Sequence, residues 1–223
     1  MRDHDAFIEA YPAVLGSDAV RVVVAIGVDV AELRVGDRVF FQGIIGNYDS
    51  STFQQYCKMP AELLSKNPEN ISDKEASCIM LATMAVVTAF YAKEGHGMTP
   101  PWEEGGRNVG KGKSFLIIGG ASSVGQYAIH LAQHWRSQCL GSLCIYSGGI
   151  LRCNGGIPVD FVFDAISASA TQKLGVGILQ KANTAGTHLV TVHVVVPNVP
   201  DPEAKALGQS QEPCVEIRQL ADA

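Results

Sequence analysis

The distribution of apolar and polar positions divides the chain into two parts with different periodicities. Up to about Pro68, β-branched and aromatic residues form short runs that are separated by Gly and Asp. Val20–Val30 and Leu33–Phe41, the latter interrupted by a Gly36-Asp37 turn, are typical of strands, and Phe53–Met59 is a candidate for a further short strand. The pattern therefore predicts a small β-rich unit.

A helix and a connector are predicted to follow this unit. Ser72 and Glu75 are spaced as a capping box, and an apolar segment continues from there to about Ala92. The stretch Thr99–Lys113 is rich in Pro and Gly, which is typical of a connector without regular structure.

From Ser114 onward, apolar runs alternate with helical segments, which is the mark of a parallel sheet. The run Phe115–Ile118 predicts a strand that is buried on both faces. A turn of small residues follows up to Gly125, and a helix is predicted to open at Gln126. The other candidate strands are Leu143–Tyr146, Val159–Phe163, Leu189–Val196 and the start of one at Val215–Ile217.

The small-residue turn is the candidate functional site. It would leave space beside free backbone N–H groups and the positive end of a helix dipole, which suits a pyrophosphate. The nearest match to the dinucleotide-binding pattern is Gly119-x-x-Ser122-x-x-Gly125, with serine at the middle position. Glycine turns of this kind also occur in folds that bind no nucleotide, so close packing at Gly125 is the alternative. The candidate cofactor-binding residues of the turn are Gly119, Gly120, Ala121, Ser122, Ser123, Val124 and Gly125.

Composition narrows the class of protein. The chain has 223 residues, of which 47% are hydrophobic and 17% charged, as in a globular protein of one or two domains. The net charge of −5 argues against a nucleic-acid partner. There is neither an apolar signal core nor an uninterrupted apolar stretch long enough to span a membrane, so we expect a cytoplasmic protein without a membrane partner.

Cysteine and histidine usage predicts no metal site. The six cysteines include no C-x-x-C pair and are interpreted as reduced thiols, and the six histidines show no ligand spacing. His130 and His134 are four residues apart on one predicted helix, which is more typical of a solvated helix face than of a metal site.

Charge distribution favours NADP(H) over NAD as the cofactor. An acidic residue about 20 positions after the glycine turn usually binds the ribose hydroxyls of NAD. No Asp or Glu occurs between Gly105 and Val159, whereas Lys and Arg do. If Leu143–Tyr146 is the second strand, Ser147 follows where it could bind the 2′-phosphate. The alternative is a chance run of neutral residues.

Several segments, in the expected order and covering about two thirds of the chain, carry a family resemblance. They are Tyr11–Asp18, Val35–Val39, Thr52–Tyr56, Pro100–Gly106, Gly119–Gln126 and Val162–Ser167. Through them the chain resembles the medium-chain dehydrogenase/reductase superfamily. It is most similar to the zinc-independent branch that includes fungal enoyl reductases acting in trans in polyketide pathways.

The resemblance implies an α/β protein with an incomplete GroES-like β domain followed by a shortened Rossmann-type parallel sheet. The expected boundaries are 1–70 for the β domain, 71–113 for the helix and connector, and 114–223 for the dinucleotide-binding domain. Asp164, Ala165, Ile166 and Ser167 would face the cofactor at a strand end, and Thr191 would end the next strand near the nicotinamide.

The implied function is an NADP(H)-dependent reductase that transfers hydride to an enoyl, enone or quinone-type small molecule. A homodimer or a polyketide-pathway partner enzyme is possible. The catalytic residues are unknown, and the candidate proton donors are Tyr48, Tyr56, Thr83 and Thr88. Tyr48 lies in a loop that suits a cleft but is also typical of a surface tyrosine, and helical threonines such as Thr83 and Thr88 commonly bond back to the preceding turn. Ser17-Asp18 replaces the His-Glu of zinc-dependent relatives. A zinc alcohol dehydrogenase is therefore the disfavoured alternative.

Three departures from the family lead to a competing hypothesis. Relatives have strands ahead of the Tyr11 segment, the stretch His134–Asn154 does not match them, and they continue beyond Ala223. Only about 35 residues separate the glycine turn from Val162, against roughly 60 for a β-α-β-α-β path. We therefore expect a truncated chain, from a faulty gene model or a decayed paralogue. Such a chain could be a catalytically inactive remnant that binds only a nucleotide or a partner protein.

Overall fold

The computed structural model describes residues 11–44, 46–108, 110–135, 138–142, 159–182 and 189–192, with the backbone alone for 108, 138–142, 181 and 182. Contacts divide the chain into two compact units, Met1–Ala82 and Thr83–Ala223. The predicted division into 1–70, 71–113 and 114–223 remains a prediction.

The first unit is built around an antiparallel sheet of three strands, β1 (Asp18–Val22), β2 (Arg38–Gln42) and β3 (Ser65–Lys66), in that order. Ala19 of β1 lies opposite Phe41 of β2, and both side chains are buried. Along β2, buried and half-buried positions alternate. This is the period of two that is expected when one face of a sheet is covered.

The strand predicted at Val20–Val30 is shorter in the structure. β1 ends at Val22, and the last paired residue, Val23, donates to the Asp37 carbonyl at 2.9 Å and accepts from the Gly36 N–H at 2.8 Å. Gly36, at φ +96°, turns the chain at this point. The residues after Val23 therefore have no opposing strand within the described part of the unit, although their composition favours a strand.

The candidate strand Phe53–Met59 is wrong. The Phe53 N–H donates to the Leu15 carbonyl and the Lys58 N–H to the Asp49 carbonyl, both at 2.9 Å. These bonds anchor the segment to neighbouring loops, so it does not form a ladder.

The predicted capping box is confirmed. The Ser72 hydroxyl accepts from the Glu75 N–H at 3.3 Å, and the Glu75 carboxylate accepts from the Ser72 N–H at 2.9 Å. The single predicted helix is instead two helices, α1 (Asp73–Ala76) and α2 (Met80–Tyr91). Between them the Ser77 hydroxyl donates to the Lys74 carbonyl at 2.8 Å, a local bond that competes with the helical pattern.

The second unit contains a parallel sheet of four strands in the order β5-β4-β6-β7. Helix α3 (Ser123–His134) lies between β4 and β5 in the chain, and helix α4 (Ser169–Ala182) lies between β6 and β7. The predicted α/β fold with a parallel sheet is confirmed. The strands are β4 (Ser114–Ile118), β5 (Gln138–Ser142), β6 (Phe161–Asp164) and β7 (Leu189–Thr191).

Strand β4 is the centre of this unit, and all five of its residues are buried. Phe115 and Ile117 join the hydrophobic cluster that contains Ala128 and Ala132 of α3. Leu116 and Ile118 belong to the cluster that contains Ile178 and Leu179 of α4. Because successive residues of a strand point to opposite faces, the two helices cover opposite faces of the sheet.

Three elements differ from the prediction, namely α3, β5 and β6. Strand β6 spans Phe161–Asp164, whereas Val159–Phe163 was predicted. Helix α3 begins at Ser123 and not at Gln126, because Ser122 caps it. Strand β5 was not predicted, since its sequence, Gln-Cys-Leu-Gly-Ser, is neither apolar throughout nor alternating. The predicted strands Leu143–Tyr146 and Val215–Ile217, and the end of Leu189–Val196, lie outside the described residues.

Candidate functional site

The strand order predicts a ligand-binding crevice at one edge of the parallel sheet. β4 pairs with β5 on one side and with β6 on the other, and the helices that follow β4 and β6 cover opposite faces. The order therefore reverses at β4. In open α/β sheets, ligands bind outside the carboxyl ends of the strands at such a reversal point.

The turn after β4 has the shape that this position requires. Gly119 adopts φ +83°, which is favourable only for glycine. The Ser122 hydroxyl donates to the Gly119 carbonyl at 2.8 Å and accepts from the Gly125 N–H at 3.0 Å. The serine at the middle position of the pattern is thus the N-cap of α3, where its hydroxyl closes the turn.

Gly125 brings α3 close to the turn. A Cβ atom on Gly125 would overlap the carbonyl oxygen of Gly119 and would lie 2.7 Å from the Gly120 Cα. These are backbone atoms, which cannot move aside as a flexible side chain does. Close packing at Gly125, which was offered as an alternative to a binding role, is therefore present in the structure, and the two roles are compatible.

The first turn of α3 offers hydrogen-bond donors. The N–H groups of Ser123 and Val124 have no acceptor within the described part of the chain, as expected for the start of a helix. Ala121, Ser122 and Ser123 are exposed. The turn therefore combines exposed N–H groups with the positive end of a helix dipole, which favours an anion.

A second loop, Ala165–Ser167, follows β6 and borders the glycine turn. A Cβ atom on Gly119 would lie 2.8 Å from Cγ1 of Ile166 and 3.5 Å from Cβ of Ala165. Ile166 is 44% exposed. The two loops therefore form adjacent walls of the crevice.

Behind the second loop lies a network of buried polar side chains. Oδ1 of Asp164 accepts from the N–H groups of Ile166 and Ser167, and Oδ2 accepts from the Thr171 hydroxyl at 2.6 Å. The family resemblance had already placed Ser167 at this strand end, whereas Thr171 was missed at the level of sequence. The position of Thr171, seven residues after a strand-ending aspartate and at the start of a helix, is the signal that could have found it.

The structure brings together most of the residues that were proposed to bind a cofactor. The glycine turn lies beside Ala165 and Ile166, whereas Asp164 and Thr191 are opposite each other on β6 and β7 and are at most 1% exposed. Ser147 lies outside the described residues.

Comparisons with known proteins extend these observations. Residues 1–69 match the family model of the alcohol dehydrogenase GroES-like domain. A dehydrogenase (orf1) of Aspergillus niger is 36% identical over 125 residues, which cover 55% of this chain and 35% of the relative. A highly reducing polyketide synthase, Preu5 of Preussia isomera, is 30% identical over 190 residues, which cover 79% of this chain and 6% of the relative.

Solved structures show the same fold. The CurK enoyl reductase aligns with a TM-score of 0.62 at 18% identity, covering 80% of this chain and 53% of that one. The Escherichia coli quinone oxidoreductase, complexed with NADPH, aligns with a TM-score of 0.59 at 19% identity. The alignment covers 82% of this chain and 56% of that one.

The chain belongs to the medium-chain dehydrogenase/reductase superfamily. The antiparallel sheet of the first unit lies in the GroES-like region, and the parallel sheet follows it in the chain, as predicted. The chain spans about a third of the length of the dehydrogenase relative and about half of the length of the aligned structures.

The sequence predicts that Ser17-Asp18 replaces the His-Glu of zinc-dependent relatives. Oδ1 of Asp18 accepts from the Leu81 N–H at 2.9 Å, at the start of α2. Burial raises the pKa of Asp18, and the bond from Leu81 offsets part of this effect. Asp18 therefore has a structural partner on a helix.

No three His, Cys, Asp or Glu side chains are grouped as metal ligands in the described ranges. His130 and His134 are both exposed on α3, as a solvated helix face would have them. The absence of a metal site in this member of the superfamily remains a prediction.

The candidate proton donors are divided between the two units. Tyr48 and Tyr56 belong to the first unit and Thr83 and Thr88 to the second. The Thr83 hydroxyl is buried and has no hydrogen-bond partner in the described structure. The geometry assigns a donor role to none of the four.

The helices of the described segments include none with the length and apolar character needed to cross a membrane.

Proposed function

We propose that this protein is an NADPH-dependent oxidoreductase that reduces an activated C=C bond, in an enoyl or enone compound, or a quinone-type substrate. The observation that carries the proposal is the glycine turn at the point where the order of the parallel strands reverses. The turn ends at the exposed N-terminus of α3. A Cβ atom at Gly119 would occupy the space between the turn and the Ile166 side chain.

The residues present fit a dinucleotide. The N–H groups of Ser123 and Val124 would hold the pyrophosphate, and Ala165 and Ile166 would line the crevice beside it. When bound, the reduced nicotinamide supplies the hydride. The chain's own contribution is to orient the cofactor and to exclude water from the crevice.

Charge supports NADPH over NADH. The absence of Asp and Glu between Gly105 and Val159 leaves no carboxylate in that span to repel a 2′-phosphate, and we propose Ser147 as one of its donors. The aligned Escherichia coli quinone oxidoreductase was solved with NADPH, which supports the same choice.

The relatives suggest the substrate class. An enoyl reductase and a quinone oxidoreductase are among the aligned structures, and a highly reducing polyketide synthase is among the relatives. We therefore propose a small conjugated substrate, with a polyketide-pathway enzyme or a second copy of the chain as the candidate partner.

A second candidate function is binding of the cofactor without turnover. It is favoured by the described structure, whose geometry assigns a proton-donor role to none of the four candidate residues. The two functions share the crevice and differ only in whether the bound cofactor is consumed.

A fluorescence titration of the full chain with NADPH and with NADH tests the cofactor site. Gly119→Ala is compared with Gly112→Ala, since both glycines have a positive φ, +83° and +77°, and only Gly119 has neighbours within 4 Å. We expect saturable binding that is tighter for NADPH. Gly119→Ala should weaken it at least about tenfold, because the new methyl group meets Ile166, and Gly112→Ala should leave it unchanged.

Consumption of NADPH with a crotonyl thioester and with a quinone then separates the two functions. Turnover of either supports the reductase, and binding without turnover supports the second candidate. Absence of binding by the wild-type protein, or equal effects of the two glycine substitutions, contradicts the cofactor site.

A further inference from the structure

The carboxyl ends of β6 and β7 contain an unusual concentration of buried polar side chains. All of them belong to the second unit and none is more than 5% exposed: Asp164, Ser167, Thr171, Gln172 and Thr191. Burying a polar group is unfavourable unless it is hydrogen-bonded, so such a cluster has to hold a particular shape to persist.

Asp164 is the centre of this cluster. Its carboxylate accepts from the Ile166 N–H at 2.9 Å and from the Ser167 N–H at 3.1 Å, through Oδ1. The Thr171 hydroxyl donates to Oδ2 at 2.6 Å and accepts from the Ala168 N–H at 3.0 Å. The fully buried carboxylate thus faces the inside of its own loop and does not reach the crevice.

Ser167 shows that the loop is held in a conformation it would not adopt by itself. Its φ is +58°, in the left-handed region that is unfavourable for residues other than glycine. The Ser167 hydroxyl donates to the Asp164 carbonyl and accepts from the Val192 N–H, and the Gln172 amide donates to the Ser167 carbonyl at 3.2 Å. These bonds tie the loop to β7 and to α4.

The loop held in this way forms one wall of the crevice. Ile166, whose N–H is bound by Asp164, places its side chain against Gly119 of the glycine turn. A change in the backbone at Ile166 would therefore change the width of the crevice directly.

We propose that Asp164 and Thr171 form a positioning clamp that sets the Ala165–Ser167 wall to the width at which a nicotinamide dinucleotide binds. This inference rests on the proposed function, since it assumes that the crevice binds such a cofactor. Asp164 and Thr171 act through Ile166 and touch neither cofactor nor substrate.

The clamp affects affinity because it orders the wall before binding. If the wall is in the binding shape for only a fraction of the time, the apparent Kd rises by the inverse of that fraction. Without the Thr171 hydroxyl, Oδ2 of Asp164 loses its short bond, and a buried carboxylate oxygen left without this partner favours rearrangement of the loop.

The test compares three single variants of the full 223-residue chain. Thr171→Val keeps the size of the side chain and removes the hydroxyl, and Thr171→Ser keeps the hydroxyl. Ile178→Val is a control for general loss of stability, since Ile178 is buried in the hydrophobic cluster that contains Leu116 and Ile118. NADPH Kd values are measured by fluorescence at a temperature where thermal melts show every variant to be folded.

We expect Thr171→Val to raise the Kd about tenfold and Thr171→Ser to bind within about twofold of wild type. Ile178→Val should lower the melting temperature without changing the Kd. In hydrogen exchange by NMR, the Ile166 and Ser167 amides should lose protection in Thr171→Val and recover it in Thr171→Ser. If Thr171→Val is insoluble, Thr171→Cys replaces it. Because a thiol is a weaker hydrogen-bond donor than a hydroxyl, we expect Thr171→Cys to raise the NADPH Kd by less than Thr171→Val would.

Two results overturn the clamp while the cofactor site stands. One is binding by Thr171→Val that equals wild type, and the other is an equal loss in Thr171→Val, Thr171→Ser and Ile178→Val. If the wild-type protein binds neither NADPH nor NADH, the proposed function fails, and the clamp as a device for cofactor binding fails with it.

Discussion

The two sheets of this protein differ in how many of their faces are covered. In the antiparallel sheet of the first unit, β2 alternates buried and half-buried residues, whereas every residue of β4 in the parallel sheet is buried. At the end of β1 and just after it, the side chains of Val22, Val24, Ile26 and Val28 are 44% to 100% exposed. Similar apolar residues are thus buried along β4 and exposed at the end of β1 and just after it.

The number of covered faces affects both the stability of a strand and its use as a support for a functional site. A strand that is buried on both faces is supported by contacts on either side, so the turn at its carboxyl end is held rigidly. A strand with one covered face can end where its partner turns away, as β1 does at Val22. The candidate site lies after the strand of the first kind.

The largest expected effect tests this difference with one substitution made in each unit. Ile117→Ala in β4 removes a side chain that is fully buried, whereas Ile26→Ala removes one that is 44% exposed. We expect the free energy of unfolding to fall by about 2–5 kcal/mol for Ile117→Ala and by less than about 0.5 kcal/mol for Ile26→Ala. Denaturant titration measures both, and losses of equal size would remove the contrast between the sheets.

A second test compares two glycines of the helices that cover the parallel sheet. Gly125→Ala in α3 brings a methyl group against the backbone of Gly119, whereas a Cβ atom on Gly177 in α4 meets nothing within 4 Å. We expect Gly125→Ala to destabilise by about 1–3 kcal/mol and Gly177→Ala to stabilise by about 0.5–1 kcal/mol. Thermal unfolding gives both values. Effects of the same sign would mean that α3 does not pack tightly on the turn.

A third test uses Tyr91, at the end of α2. Its ring lies 5.0 Å from Trp102 and 5.1 Å from Trp135, and its buried hydroxyl has no hydrogen-bond partner in the described structure. Because an unsatisfied buried hydroxyl is unfavourable, Tyr91→Phe should raise the free energy of unfolding by about 1 kcal/mol near neutral pH.

The same residue makes a prediction for alkaline solution. Burial raises the pKa of Tyr91 from 10.0 to about 12. A raised pKa contributes stability that is present below pH 10 and is lost as the pH rises towards 12. Wild type should therefore lose stability over this window more steeply than Tyr91→Phe, which denaturation at several alkaline pH values would show. Parallel pH profiles would exclude a buried hydroxyl.

The smallest expected effect concerns the buried acid of the first unit. Burial raises the pKa of Asp18 above 3.8, so its contribution to stability is present below that pH and is lost as the pH rises through the raised value. Asp18→Asn keeps an acceptor for the Leu81 N–H without the charge. It should be more stable than wild type at neutral pH by less than about 1 kcal/mol, with a flatter profile at acidic pH.

Asp18→Ala is the matched control for this prediction, because it removes both the charge and the acceptor. It should destabilise the protein at neutral pH, and stability measured by urea titration from acidic to neutral pH distinguishes the two variants. If Asp18→Asn is as unstable as Asp18→Ala, the charge itself is what α2 requires.

Features that depend on interactions between residues close together in the chain were predicted best from the sequence. The strand Phe115–Ile118 was placed within one residue of β4, because burial on both faces leaves a continuous apolar run. The capping box at Ser72 was also correct, since both of its bonds are local. The start of α3 was missed by three residues, because Ser122 was assigned to the glycine pattern and not to a cap.

Long-range contacts account for the errors. Val20–Val30 has the composition of a strand throughout, but its partner turns at Gly36, and Phe53–Met59 is held by loops. In the candidate site, the glycine turn was predictable because its residue types are dictated by backbone space. The bond from the Val192 N–H to the Ser167 hydroxyl could not be inferred, since it joins residues 25 positions apart in the chain.

The sequence by itself determined which run of residues forms the doubly buried strand and which turn leaves room for a ligand. Hydrophobic periodicity indicates the strand and a run of small side chains indicates the turn, because both signals depend only on a few neighbouring residues. Only the tertiary structure decided that β6 lies beside β4 and that the Ile166 side chain lies against Gly119. It also decided that Asp164 holds the Ala165–Ser167 loop in place. These contacts depend on strand order, which brings distant segments together once the hydrophobic faces are buried.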